Sequence, residues 1–342
     1  MIHKRKDSSL LKIDLRESMI NRFKQTIHYF FLAFIFLLSA CSEEAADSSS
    51  IQYISIEELP NALLASRFEN LEELEKVVKI SYFQKGQEVM TANPLNNKVI
   101  CQYGAGGQQI VSILKKGISQ TEIVEAKEGD WNAITALFLN APHSIALRKK
   151  LAYTNLLARR RQDLTAWGDP AFYDLSALTV KKIIDKEAFV TAKDSGSKGY
   201  LNTFNHITAQ ALLTSIFSED IADFIADVHE RDNMPELITG VFTSAQLKDP
   251  NMNPMDNYVD MINNELGQEL GKALKEKYGI NENTKWTPKL LAAYLNELQA
   301  YYVKSFDIGM QAFDESEVEI KRFTNKVNRL FNKEFDYVIP TY

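Results

Sequence analysis

The sequence predicts a mainly α-helical globular body: a multi-helix fold with one small β-hairpin near residues 78–103. Apolar residues recur at three- and four-residue spacing over most of the chain, as in Leu63, Leu64, Phe68, Leu71, Leu74, Val77 and Val78, which is the period of one helix face. Glycine and proline are sparse, 14 and 9 in 342 residues, while 45% of the chain is apolar and 11% aromatic, enough to build a core. Between Val77 and Ile110 the spacing breaks into short mixed runs at Gly86, Pro94 and Asn96-Asn97, where residues 98–103 read as one strand of a hairpin.

In chain order, residues 57–80 read as a first helix that starts or kinks at Pro60, because proline lacks the N–H a helix interior needs. After the hairpin, helical signals dominate from Gln108 to the end. Gly104-Ala105-Gly106-Gly107 reads as a tight turn. It is not a dinucleotide fingerprint, because Gln109 occupies the place of the third glycine. Arg148-Lys149-Lys150 and Arg159-Arg160-Arg161 fall in one predicted helix and read as a solvated face, with lipid headgroups or an anionic polymer as alternative partners. Residues 194–199, Asp-Ser-Gly-Ser-Lys-Gly, read as an internal linker. The body thus divides into a helical region over 56–195 and a helical domain over 196–342.

The N-terminal segment reads as an address. Ten uninterrupted apolar residues, 29–38, follow Arg22 and Lys24 and end in Leu38-Ser39-Ala40-Cys41. The run is too short to span about 30 Å of hydrocarbon but fits an export signal. Leu38–Cys41 resembles the lipobox of bacterial lipoproteins, which implies cleavage before Cys41 and acylation of that cysteine. Counting from Met19 gives a signal of ordinary length over 19–40, so residues 1–18 read as an extension outside it. Residues 41–55 are a polar tether. Glu43-Glu44 resembles the surface-export signal of Bacteroidetes lipoproteins, which implies an outer-membrane anchor facing outward. Membrane attachment through acylated Cys41 would be effectively permanent, since each buried CH₂ contributes about 0.8 kcal/mol.

Charge and cysteine count exclude further classes. The chain carries a net −6, and residues 41–342 hold 32 basic against 42 acidic groups. No nucleic-acid partner is expected of so acidic a body, because phosphate binding rests on Lys and Arg. With Cys41 acylated, Cys101 stands alone in an apolar run, so neither an intramolecular disulfide nor a cysteine zinc cluster can form.

The residues with chemical potential lie between 202 and 271. A first helix carries Asn202, Asn205 and His206. A second has Ser218 at its N-cap, an apolar face of Ile221, Phe224, Ile225 and Val228, and His229-Glu230 near its end. A third, capped by Asn253 with Pro254 at its first position, buries Val259, Ile262, Leu266 and Leu270. It presents a second stripe of Asp260, Asn264, Gly267 and Gly271 beside Asn263. Two helical glycines, each costing about 1 kcal/mol against alanine, need a neighbouring backbone or a ligand close by.

The ordered motifs Asn202-x-x-Asn205-His206, His229-Glu230 and Asp260-x-x-Asn263-Asn264-x-x-Gly267 resemble an uncharacterised helical domain found at the ends of secreted, toxin-like and phage-associated bacterial proteins. Asn205 stands where that pattern has arginine, and Ala209 where it has an aromatic residue. The resemblance implies no reaction. By residue type, His206, His229, Glu230 and Asp260 suit an acid–base set or the ligands of a divalent metal, with Asn202, Asn263 and Asn264 as ligand-binding amides. His229-Glu230 lacks the second histidine of zinc proteases. The alternative is a satisfied polar network that locks three helices. The expected function is an envelope-anchored binding or interaction module with a protein or envelope-polymer partner. A hydrolase-like domain, with or without a divalent metal, is the alternative.

Overall fold

The computed structural model describes residues 56–84, 87–89, 98–105, 108–115, 117–160, 168–234, 254–281 and 283–332. The export segment, Cys41 and the tether lie outside the described residues, as do Gly106-Gly107, Arg161 and Asn253. Every described residue belongs to one compact unit, Tyr53–Tyr342. It is mainly α, with eleven α-helices and one four-stranded sheet among the described residues.

The predicted first helix is largely absent. After a 3-10 turn at Ala65–Arg67 there is a single short helix, α1 (Leu71–Glu75), which Asn70 caps through Glu73 N–H. Residues 59–64 run through the core without helical structure, with Leu59, Leu63 and Leu64 buried. Several of their backbone groups are satisfied by side chains distant in sequence. Asn263 Oδ1 accepts from Leu63 N–H (3.0 Å), Asn263 Nδ2 and Thr203 Oγ1 donate to Leu63 C=O (2.9 and 3.0 Å), and Tyr301 donates to Pro60 C=O (2.6 Å). Buried polar backbone needs partners, and here tertiary partners replace the helical ones.

The predicted hairpin is part of a larger antiparallel sheet of order β2-β1-β3-β4: β1 (Val78–Gln84), β2 (Gln87–Val89), β3 (Lys98–Ala105) and β4 (Gln108–Lys115). Residues 108–115, read as the start of the helical region, alternate buried and exposed as a strand instead. Ile110, Ser112 and Leu114 face inward opposite Tyr103, Cys101 and Val99, the two-residue period of a half-covered sheet. Cys101 is fully buried and its thiol is pushed up by burial, which keeps it protonated and inert.

The helices that follow are α2 (Gln120–Glu128), α3 (Trp131–Asn140), α4 (Pro142–Ala146), α5 (Arg148–Ala158), α6 (Phe172–Lys181), α7 (Tyr200–Ile216), α8 (Glu219–Asn233), α9 (Pro254–Lys277), α10 (Pro288–Phe306) and α11 (Val318–Phe331). The basic stretch is helical only to Ala158. The 194–199 segment is a packed corner at the start of α7. Buried Asp194 accepts from Ser66 Oγ (2.5 Å) and pairs with Arg67 (3.1 Å).

α9 is the axis of the body. One side carries the sheet, through a hydrogen bond between the Tyr82 and Tyr258 hydroxyls (2.6 Å) and contact of Cys101 with Met261. The other side carries α7 and α8. Where α9 meets α7 the glycines have their reason. A Cβ on Gly267 would stand 2.7 Å from Ile207 C=O, and one on Gly271 would stand 2.6 Å from Ala211 C=O. α10 closes the far side of α7 by stacking Tyr302 on Phe204 with ring centroids 4.1 Å apart. Because the Gly267 contact is backbone on backbone, Gly267→Ala should lower stability by about 1–3 kcal/mol, the usual cost of overpacking. Urea unfolding of the variant checks this.

Candidate functional site

Two rows of polar side chains face each other across the close contact of α7 and α9. At four-residue intervals α7 presents Asn202, His206 and Gln210, and α9 presents Asp256, Asp260, Asn264 and Gln268. They pair in register. Asn202 Nδ2 donates to both carboxylate oxygens of Asp260, at 2.9 and 3.2 Å, and to Asp256 at 3.3 Å. His206 lies between Asn264, at 2.9 Å, and Asp260, at 3.2 Å. Gln268 donates to Gln210 at 3.3 Å. α8 adds Glu230, whose Oε1 accepts from Asn264 Nδ2 at 3.1 Å. Lys198, just before α7, makes an ion pair with Asp256. Asp256, Asp260, Glu230, Asn264, Gln210 and Gln268 are all buried.

The hydrogen bonds fix the state of the histidine. Asn264 spends its amide N–H on Glu230, so its oxygen faces His206 Nδ1 and that nitrogen must carry the proton. Nε2 is then a lone-pair acceptor, 3.2 Å from a carboxylate oxygen of Asp260, itself an acceptor. Two acceptors at that distance repel unless a proton or a cation lies between them. Burial, with His229 and Lys198 nearby, pulls the His206 pKa down to about 3, so the imidazole is neutral. Burial, with Asp256 and Glu230 beside it, raises Asp260 well above the carboxylate range. Of the two, Asp260 is the group whose surroundings favour holding a proton, and His206 the one whose surroundings disfavour it. Glu230 is raised as well, first by burial, with Asn264 opposing the shift.

One donor atom from each of His206, Glu230 and Asp260 lies within 4.8 Å of the other two. Three donors each about 2.1 Å from one ion stand about 3.5 Å apart, so the His206–Asp260 edge at 3.2 Å already fits and closing the trio on a cation takes an inward shift of up to about 1.3 Å. The Nδ1–H···Oδ1 bond from His206 to Asn264 is the outer support that metal-bound imidazoles use to fix their tautomer.

The expected residues divide. His206, Glu230, Asp260, Asn202 and Asn264 converge. His229 is exposed at the rim, its ring 6.2 Å from that of His206, and Asn233 Nδ2 contacts its Nε2 at 3.2 Å. Asn263 faces the opposite way, with its amide engaged by the Leu63 backbone. Ser218 holds the N-cap position of α8 without a side-chain capping bond. Sequence reasoning missed Asp256 and Lys198. The four-residue interval from Asp256 through Asp260 to Asn264 was the available signal for the first. Lys198 sat in what read as a linker.

A second carboxylate group lies on α8 and α9. Asp227 pairs with Arg231 at 2.6 Å, yet burial raises its pKa to about 7. Burial, with Asp223 adding to it, raises Glu265 to about 8 against a hydrogen bond from Ser112. Both folded-state values exceed the unfolded ones. Their contribution to stability is therefore full below about pH 4 and is lost as pH rises through 7 and 8. Unfolding midpoints in urea should fall between pH 5 and pH 8. Glu265→Gln should flatten that slope by up to about 1.4 kcal/mol per pH unit.

No protein-family model matches the chain, and no curated protein or solved structure matches it.

Proposed function

We propose that the chain is an exported, lipid-anchored envelope protein whose helical body is a binding module built around a divalent-cation centre at His206, Glu230 and Asp260. The observation that carries this reading is the apposition of the His206 Nε2 lone pair with the Asp260 carboxylate, 3.2 Å apart and backed by Glu230. Around it three buried carboxylates, Asp256, Asp260 and Glu230, face one ammonium, Lys198. With the histidine neutral, two negative charges are left over, and the site resolves them with protons or with one divalent ion. A nitrogen and two carboxylates suit zinc or manganese. The residues that converge, Asn202, His206, Glu230, Asp260 and Asn264, are among those that carry the resemblance to the helical domain of secreted bacterial proteins, which supports treating them as one site.

A second reading is metal-dependent hydrolysis. Three protein ligands leave a coordination position open for water, the arrangement of catalytic rather than structural zinc. The His206 side chain retains 12% exposure, and exposed His229 stands beside it as a proton carrier.

Isothermal titration of chelator-stripped protein with zinc and manganese, in buffers of different ionisation enthalpy, tests the centre. The expected result is one ion bound with release of one to two protons, because the carboxylates must ionise to ligate. His206→Ala should weaken affinity at least a hundredfold, and Asn264→Ala tenfold or more. If neither metal binds and neither shifts the melting temperature, the polar rows are a helix-locking network and the cation reading fails. Mass spectrometry of envelope-extracted protein tests the anchor. An acyl mass at Cys41, lost in Cys41→Ser, is expected.

A further inference from the structure

The chain charge is −6, yet the stretch 131–161 contains six Lys and Arg side chains, Arg148, Lys149, Lys150, Arg159, Arg160 and Arg161, and no Asp or Glu. The same segment opens with α3, which has no charged residue at all. Only Ala133 of α3 is buried. Trp131 is 77% exposed, Phe138 55% and Leu139 76%. At about 100° per residue these three, with exposed Thr135, fall within about 100° of arc, so they form one face. The opposite side of α3 packs inward through Ala133 and Leu137, the latter against a small cluster of Ile118, Ala141, Phe224 and Val228. Singly exposed apolar residues are ordinary. A tryptophan, a phenylalanine and a leucine on one uncharged face, followed in the chain by an all-basic stretch, form the pattern of a helix that lies in a membrane interface.

We propose that this α3 face docks on an anionic lipid bilayer, with Trp131, Phe138 and Leu139 entering the headgroup–acyl boundary and the Arg148–Lys150 group meeting lipid phosphates. Charge selects this occupant. The exposed basic side chains of Arg148 and Lys149 suit a surface dense in negative charge. A second copy of this chain would instead bring the same basic stretch against itself. Acidic side chains on this part of the chain end at Asp130, the α3 N-cap, whose carboxylate is spent on the Asn132 and Ala133 N–H groups. The proposal rests on the envelope reading for the source of the bilayer but does not need acylation of Cys41. One lipid attachment plus one docked face would set the orientation of the body as well as its location.

The experiment uses residues 53–342, the compact unit, which lacks Cys41, so its outcome is independent of the anchor. Flotation with vesicles of phosphatidylcholine mixed with phosphatidylglycerol should carry the protein up. Pure phosphatidylcholine should bind at least tenfold less, and high salt should lower anionic binding by a similar factor. Brominated lipids should quench the part of the tryptophan emission that Trp131→Phe removes, whereas Trp286 is buried and shielded. Trp131→Ala/Leu139→Ser, both at exposed positions, should keep the circular dichroism spectrum and lose at least tenfold in binding, as should Arg148→Glu/Lys149→Glu. Absence of binding to anionic vesicles, or binding undiminished in the double variants, overturns the proposal. A concentration-dependent dimer broken by Trp131→Ala/Leu139→Ser also overturns it and reassigns the face to a second copy.

Discussion

The separation of α7 and α9 is the constraint on which the rest depends. Gly267 and Gly271 let two backbones meet where any larger residue would strike the carbonyls of Ile207 and Ala211. At that spacing facing side chains bond directly across the contact, Asn202 to Asp260, His206 to Asn264 and Gln268 to Gln210. The four-residue interval on both helices then becomes a register. Sliding one helix by a turn would break the pairs Asn202–Asp260, His206–Asn264 and Gln210–Gln268 together. The small residues and the polar ones are two halves of one device.

That device is costly. Buried carboxylates contribute little net stability even when paired, and often less than apolar residues of the same shape. A chain that only needed to join two helices could do so with leucine, as α9 does elsewhere through Ile262, Leu266 and Leu270. An excess of carboxylate over cation, gathered around one neutral imidazole with a fixed tautomer, exceeds what adhesion requires. The chemistry of the donor set, not the strength of the seam, is what favours a bound ion over a purely architectural role.

Much of this was legible in the sequence where structure is made locally. Helical periodicity located α7, α8 and α9, and the glycines of α9 announced a close neighbour. What escaped depends on residues far apart in the chain. The apolar spacing of residues 63–78 looks helical, but the hydrogen bonds of Leu63 go to Asn263 and Thr203 and those of Val78 onward to a strand, so tertiary partners override the local pattern. Asn263 and Asn264 are adjacent and therefore about 100° apart on the helix. No sequence rule says which of the two faces the histidine and which faces Leu63. Lys198 was hidden because a Gly- and Ser-rich segment suggests solvent, whereas here it forms a packed corner.

The contact between Leu63 and Asn263 also bears on the order in which the chain is made. Residues 59–64 are among the first of the body to emerge, yet the groups that satisfy them, at Thr203, Asn263 and Tyr301, come 140 to 241 residues later. Until then the Leu63 N–H and the Pro60 and Leu63 carbonyls lack the side chains that satisfy them in the folded protein. Under the export proposed above, from the N-terminus onward, this would delay closure of the core until nearly the whole body had passed. On that proposal, a stretch whose hydrogen-bond partners arrive last would stay extended, and the chain threadable, for as long as threading lasts.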